Sequence, residues 1–336
     1  MDTALSRLGP HLLRMTDGET GERSQWIAPS IDWMRANPDV EMTADGDFSD
    51  YERGPSYRLR DGRQLDPANI ELGYYRAFQR SFPAFKVLRE RSGYPDISFQ
   101  VGLPAPIDLA NSTLVSKEPQ ADPGKALVRR VDPAIVQSFG EATLREIAAI
   151  HAEAVDDVIF QVESVVAMVA VARSAPEAQQ AVATRMAESI IAMVALAPEG
   201  VRFGIHICLG DFHHRALAEL GSARPVVTLA NTLAKLWPAG RPLEYMHAPF
   251  AAAEKPGSLD PTWYEPLDEL ALPDGVRFVA GFVHEDVDID ELRKIHTMIE
   301  RHAGREVDVA ATCGLGRRPS PDQAWDAMDK VVALLT

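Results

Sequence analysis

Three residues in this sequence have the types and spacing to hold a metal ion. His206 and Cys208 lie two apart at the end of an apolar run, Val201 to Leu209, that reads as a buried strand. A two-residue step along a strand sends both side chains to the same face, so an imidazole and a thiolate converge. Zn2+ takes such nitrogen and sulfur ligands in tetrahedral sites, and two more would complete the set. Cys313 ends a second apolar strand, Val307 to Thr312, and offers the third ligand. These are the two cysteines of a 336-residue chain, and each is followed by a glycine loop. Either one alone reads as core, because a free thiol packs as a small hydrophobe. Together, at two strand ends, they favour a metal site.

The elements that would position these residues alternate along the chain. Apolar strands are predicted at 96–103, 157–163, 201–208, 242–247, 276–284 and 307–313, with a short one near Leu13 to Thr16. Between them, helical spacing marks 68–90, 134–155, 175–196, 290–302 and 321–335. A helix starts at Arg215, and Pro225 to Leu229 reads as a strand, although Thr228 to Leu236 also fits a helix. This alternation is the signature of a parallel α/β architecture. No Gly-x-Gly-x-x-Gly opens a helix after a first strand, so a dinucleotide fold has no support. Ligand-capable residues end many different strands: Glu19, Glu163, Cys208, Glu244, His284 and Cys313. That distribution favours a (β/α)8 TIM barrel as a single domain over residues 1–336, with its first strand missing or irregular. Residues 36–68, rich in Asp, Gly and Pro, read as a long loop or excursion over the site.

Composition narrows the partners. A net charge of −15 repels a nucleic acid backbone and an anionic membrane surface alike. No apolar run approaches the ~20 residues of a bilayer span. The N-terminus lacks a signal-peptide pattern, and two distant cysteines form no disulfide framework. The expectation is a cytoplasmic protein acting on small molecules. A homo-oligomer is compatible with the sequence, which specifies no dimer surface.

His206-Ile207-Cys208, Glu244 in Leu-Glu-Tyr, and Thr312-Cys313-Gly314-Leu315-Gly316-Arg317 resemble the zinc site of the cobalamin-independent methionine synthase superfamily. The likeness runs over roughly residues 14–336 and is to the single-barrel, catalytic-half members. It implies a TIM barrel binding Zn2+ through His206, Cys208, Glu244 and Cys313. Asp17-Gly18-Glu19, followed by Arg23, resembles the family's Gly-Glu loop, whose Glu holds the amino group of the thiol substrate. Gln161-Val162-Glu163 resembles a Gln-Ile-Asp segment whose carboxylate does similar work, with Glu in place of Asp and Ser164-Val165 in place of Glu-Pro. His284 is the nearest counterpart of the family's acid.

The chemistry implied is methyl transfer. A thiol such as homocysteine, activated as the zinc thiolate, attacks a methyl donor in line, and the protein aligns the two. Asp17, Glu19 and Glu163 bind the substrate amine, and His284 gives a proton to the leaving group. The donor is open: a corrinoid, a folate, or a small methoxy or sulfonium compound. Two alternatives stand beside this reading. One is a zinc hydrolase, lyase or O-demethylase on the same barrel; the other is a non-catalytic barrel. Arg317 and Arg318 read as an exposed charged loop, and Asp211, His213 and His214 as groups outside the ligand set.

Overall fold

The structure is a computed structural model and describes residues 1–17, 28–47, 49–51, 53–114 and 131–336. Seven parallel strands make one curled sheet, in the order β1-β4-β5-β6-β7-β8-β9. They are β1 (Arg14–Thr16), β4 (Ser98–Pro104), β5 (Val158–Ser164), β6 (Phe203–Ile207), β7 (Leu243–Pro249), β8 (Arg277–Val283) and β9 (Asp308–Ala311). Sequential neighbours pair without exception, as in a barrel wall. Two further strands, β2 (Val40–Ala44) and β3 (Ser56–Leu59), form a separate antiparallel hairpin inside the predicted 36–68 excursion.

The helices are α1 (Asp2–Leu8), α2 (Ala28–Ala36), α3 (Tyr74–Ser92), α4 (Pro106–Thr113), α5 (Pro133–Glu153), α6 (Val165–Ala172), α7 (Gln179–Ala195), α8 (Arg224–Leu236), α9 (Ile289–Ala303) and α10 (Pro321–Leu335). Pro225 to Leu229 lies in α8 and is not a strand, and Arg215 to Leu220 is not helical. The reason is visible in α8 itself. Pro225 stands in its first turn, where no N–H is needed. Val226, Leu229, Ala230 and Leu233 then fall on one buried face at helical spacing. No helix among the described residues is long and apolar enough to cross a membrane.

Strand alternation sorts the side chains into two compartments. On β5, Val158, Phe160 and Val162 belong to the large core between sheet and helices, while Ile159 joins Tyr245, Val279 and Ala310 in a small inner cluster. On β6, Phe203, Ile205 and Ile207 face the helices. Gly204, His206 and Cys208 therefore face the concave interior. The same rule puts Tyr245 and His247 of β7 inside.

The sheet curls until its two edges face each other. No backbone pairing joins β1 to β9 among the described residues. Arg14 of β1 instead reaches across, with its Nη2 3.9 Å from Asp308 Oδ2 of β9 and its guanidinium 3.9 Å from the centre of the Tyr245 ring. Outside, Arg7 of α1 donates to both oxygens of Asp329 on α10 at 2.6 Å. The predicted barrel is thus an open half-barrel of seven strands, whose first strand has three residues.

Gly204 is what admits Tyr245 to the interior. A Cβ at position 204 would overlap the Tyr245 ring, which is buried and donates through its hydroxyl to Gln161 Oε1 (2.8 Å), with Gln100 Oε1 3.0 Å away. Gly204→Ala is expected to destabilise the fold by about 1–3 kcal/mol, the usual cost of overpacking a core. Urea unfolding of the variant against the wild type measures this; equal midpoints would contradict it.

Candidate metal centre

His206, Cys208 and Cys313 come together where β6 and β9 end. Their ligand atoms lie within 4.8 Å of one another, and the two Sγ atoms are 3.6 Å apart. Several local features hold them. The backbone N–H of Gly210 donates to Cys208 Sγ at 3.3 Å. Thr312 Oγ1 donates to the carbonyl of Ala251 beyond β7 (2.8 Å), fixing the residue before Cys313. Gly210 itself has φ +84°, and a Cβ there would lie 2.6 Å from the hydroxyl oxygen of Tyr51. That turn needs glycine twice over, for conformation and for space.

The electrostatics suit ligands that stay unprotonated at nitrogen. Burial pushes His206 well below its ordinary range, and His247 close by adds to the shift. Burial also pushes His247 down to about 4. The two rings stack with centroids 4.4 Å apart, and His247 Nε2 lies 3.0 Å from the carbonyl oxygen of Ala311. The Cys208 thiol is pushed well up, first by its hydrogen bond with Cys313 and then by burial. A cation beside two such thiols would reverse that shift. His206 Nδ1 is buried with no hydrogen-bond partner, which is costly unless something satisfies it. A buried imidazole with an unpartnered nitrogen, gathered with two close sulfurs, is a donor set that fits Zn2+.

The other predicted residues are distributed unevenly. Glu244 is not brought to this group. It stands at the start of β7, the opposite end from Cys208, one step off the inward-facing register of Tyr245 and His247, and pairs with Arg202 Nη1 at 2.9 Å. Its place along the strand and its strand phase both keep it from the site. Glu163 does reach the interior, directly beside His206 in the β5–β6 register. Its Oε1 accepts from Gln161 Nε2 at 2.8 Å, so the Tyr245–Gln161–Glu163 chain orients its carboxylate. Asp17 Oδ2 accepts from Ser81 Oγ at 3.2 Å. Glu19 lies outside the described residues.

His284, expected as a proton donor, is completely buried. Its Nε2 lies 3.2 Å from the Ala253 carbonyl and its Nδ1 accepts from the backbone N–H of Asp286 at 3.2 Å. Both ring nitrogens are thus engaged by main chain, and the ring has no proton free for a leaving group. Sequence reasoning missed two residues that shape the site. His247 carried the signal of a second inward position on a short strand, two residues from Tyr245. Tyr51, from the 36–68 excursion, donates to the Arg215 carbonyl (3.1 Å), accepts from the Phe212 N–H (2.7 Å) and packs on the Phe212 ring at 5.4 Å. The excursion therefore does reach the loop that follows Cys208.

No protein-family model matches the chain, and no curated protein matches it in sequence. Solved structures do resemble it. A protein from Listeria monocytogenes assigned as a candidate vitamin-B12 independent methionine synthase aligns over 99% of this chain and 84% of its own, with 13% identity and a TM-score of 0.53. A methyltransferase from Methanosarcina mazei covers 91% and 77%, with 16% identity and a TM-score of 0.43. A sugar phosphate isomerase/epimerase from Parabacteroides distasonis covers 76% and 81%, with 11% identity and a TM-score of 0.38. At these identities the likeness to the Listeria protein is one of fold: a parallel α/β sheet of the TIM-barrel kind.

The buried imidazole of His247 has a consequence for acid stability. Its folded-state value of about 4 lies below the ordinary 6.5, so the unfolded chain takes up a proton that the folded chain refuses. That contribution is complete above about pH 6.5 and is lost as pH falls towards 4, amounting to about 3 kcal/mol in all. Buried Asp108, raised to about 6, works in the opposite sense, losing stability as pH rises between about 4 and 6. Comparison with His247→Gln cancels the Asp108 contribution. Urea unfolding of the metal-free proteins between pH 7 and 4.5 should show a shallower acid loss in the variant; parallel curves would contradict the assignment.

Proposed function

We propose that this chain is a zinc-dependent methyltransferase that activates a thiol, homocysteine or a close relative, for attack on a methyl donor. The observation that carries the reading is the convergence of His206, Cys208 and Cys313, with His206 Nδ1 buried and unpartnered. Three protein ligands are the number found in catalytic zinc sites, where a fourth position stays open for substrate. Glu244, engaged by Arg202, does not fill that position. A hydrolase is the weaker alternative, since two thiolates make the metal a poorer Lewis acid.

His206, Cys208 and Cys313 would hold the ion. Bound there, zinc would lower the pKa of an incoming thiol so that it is nucleophilic at neutral pH. The remaining work falls to the chain. Glu163, oriented by Gln161, presents a carboxylate on the interior beside His206, where it binds the cationic amine of an amino-acid thiol. Tyr51 packs on Phe212 in the loop after Cys208 and holds that loop beside the site. The resemblance of Asp17-Gly18-Glu19 to the Gly-Glu loop assigns a second amine contact to Glu19. A corrinoid or a folate is the kind of donor such a site would meet.

Elemental analysis tests the reading at its base. The purified protein should hold about one zinc per chain, and Cys208→Ser and Cys313→Ser should each lose it. Zinc-free wild type, or zinc indifferent to both substitutions, would overturn the proposal. Glu163→Gln should keep the zinc and lose about 10–100-fold in kcat/KM for an amino thiol, while a thiol without the amine is spared.

A further inference from the structure

Arg318 is where the chain departs most from its sequence reading as an exposed loop. Its side chain is completely buried. Nη1 lies 3.3 Å from Asp211 Oδ2 and Nε lies 3.0 Å from Glu285 Oε2, and both carboxylates are themselves nearly inaccessible. His214 closes the circuit: its Nε2 is 3.2 Å from Glu285 Oε1 and its Nδ1 is 3.5 Å from Asp211 Oδ1. Arg318, Asp211, His214 and Glu285 thus form a ring of four. His214, His284 and Glu285 also offer ligand atoms within 4.8 Å of one another. The guanidinium already occupies the charge-balancing place there, and His284 Nδ1 is engaged by a backbone N–H.

Each member of the ring sits on a segment leaving the sheet beside the metal centre. Asp211 is three residues after Cys208, Arg318 is five after Cys313, and Glu285 is two beyond the end of β8. The ring therefore ties the loop carrying one thiol to the loop carrying the other, across β7 and β8. Burying a guanidinium and two carboxylates is expensive unless each is paired. The loop also holds His213 at φ 51° and His214 at φ 56°, left-handed values that strain a residue with a Cβ. Such strain, five and six residues after Cys208, is retained where surrounding contacts fix a geometry.

We infer that Arg318 is a positioning residue for the metal centre: by bridging Asp211 and Glu285 it sets the approach of Cys313 to Cys208, and so the affinity for the ion, without touching it. The inference rests on the zinc reading above. Arg suits the task, since its rigid planar guanidinium places Nη1 and Nε beside two different carboxylates, an arrangement a lysine's point charge does not fix.

Competition for Zn2+ against a chromophoric chelator, and the thiolate charge-transfer and d–d absorption of the Co2+-substituted protein, test this on the full chain. Arg318→Met is expected to weaken zinc binding by about 10–100-fold, the effect of removing a residue that orients ligands, and to shift the cobalt spectrum. Arg318→Lys, which keeps the charge, should fold and show a smaller loss and shift, so the test holds even if the Met variant does not fold. Asp211→Asn combined with Arg318→Lys should weaken binding less than the sum of the two single changes, because both open the same ring. Affinity within twofold of wild type and an unchanged cobalt spectrum in Arg318→Lys, or in Arg318→Met if that variant folds, would overturn the inference. So would a loss of metal-free stability in these variants with no change in affinity, which is the mark of a merely structural ion cluster. A wild type that binds no zinc would instead sink the metal reading itself.

Discussion

The 3.6 Å approach of Cys208 to Cys313 is the constraint on which the rest of this structure turns. The two residues are 105 positions apart, so no local preference can bring them together. What does is the order of the sheet: β6 and β9 are separated by β7 and β8, and only a strongly curled wall lets their ends meet. Curling in turn depends on an interior able to accept it. Gly204 and Gly281 give way to the rings of Tyr245 and His247, and Arg14 spans the remaining gap to Asp308. Small residues at two inward positions thus translate directly into a meeting of thiols at the rim.

Beside its small apolar cluster, that interior carries an ordered chain of polar groups. Arg14 lies on Tyr245, the Tyr245 hydroxyl donates to Gln161, and Gln161 donates to Glu163. Asp108 performs a related service from outside. Its buried carboxylate accepts from Ser164 Oγ (2.7 Å) and from the N–H groups of Val165 (2.8 Å) and Val166 (2.9 Å). It thereby fixes the first turn of α6 immediately after Glu163, where N–H groups have no helical partner. Gln161 thus holds the Glu163 carboxylate directly, and Asp108 holds the backbone that follows it.

Much of this was legible in the sequence. The two-residue step from His206 to Cys208 fixed their common face, and apolar runs ending in functional groups placed both cysteines at strand ends. Periodicity located most helices to within a few residues. It failed where strand and helix patterns are short enough to coincide, at Pro225 to Leu229. It failed too where one residue of phase decides which face is presented: Glu244 and Tyr245 are adjacent, and only pairing with β6 tells which points inward. Arg318 was illegible for a different reason. A basic residue in a glycine loop is normally solvated, and its burial depends on Asp211 and Glu285, far away in the chain and acidic like 49 residues of this sequence. His284 was correctly seen at a strand end, but its engagement by two main-chain groups is a matter of loop path that no spacing encodes.

Thiol activation by this chain would require a metal held by two thiolates and an imidazole, with one position left for a substrate thiol. X-ray absorption at the zinc edge, with and without homocysteine, tests that claim most directly. The account predicts two sulfur neighbours and a nitrogen in the resting protein, and a third sulfur once the thiol is added. A first shell of oxygen and nitrogen alone, or a sulfur count that does not respond to the thiol, would contradict it.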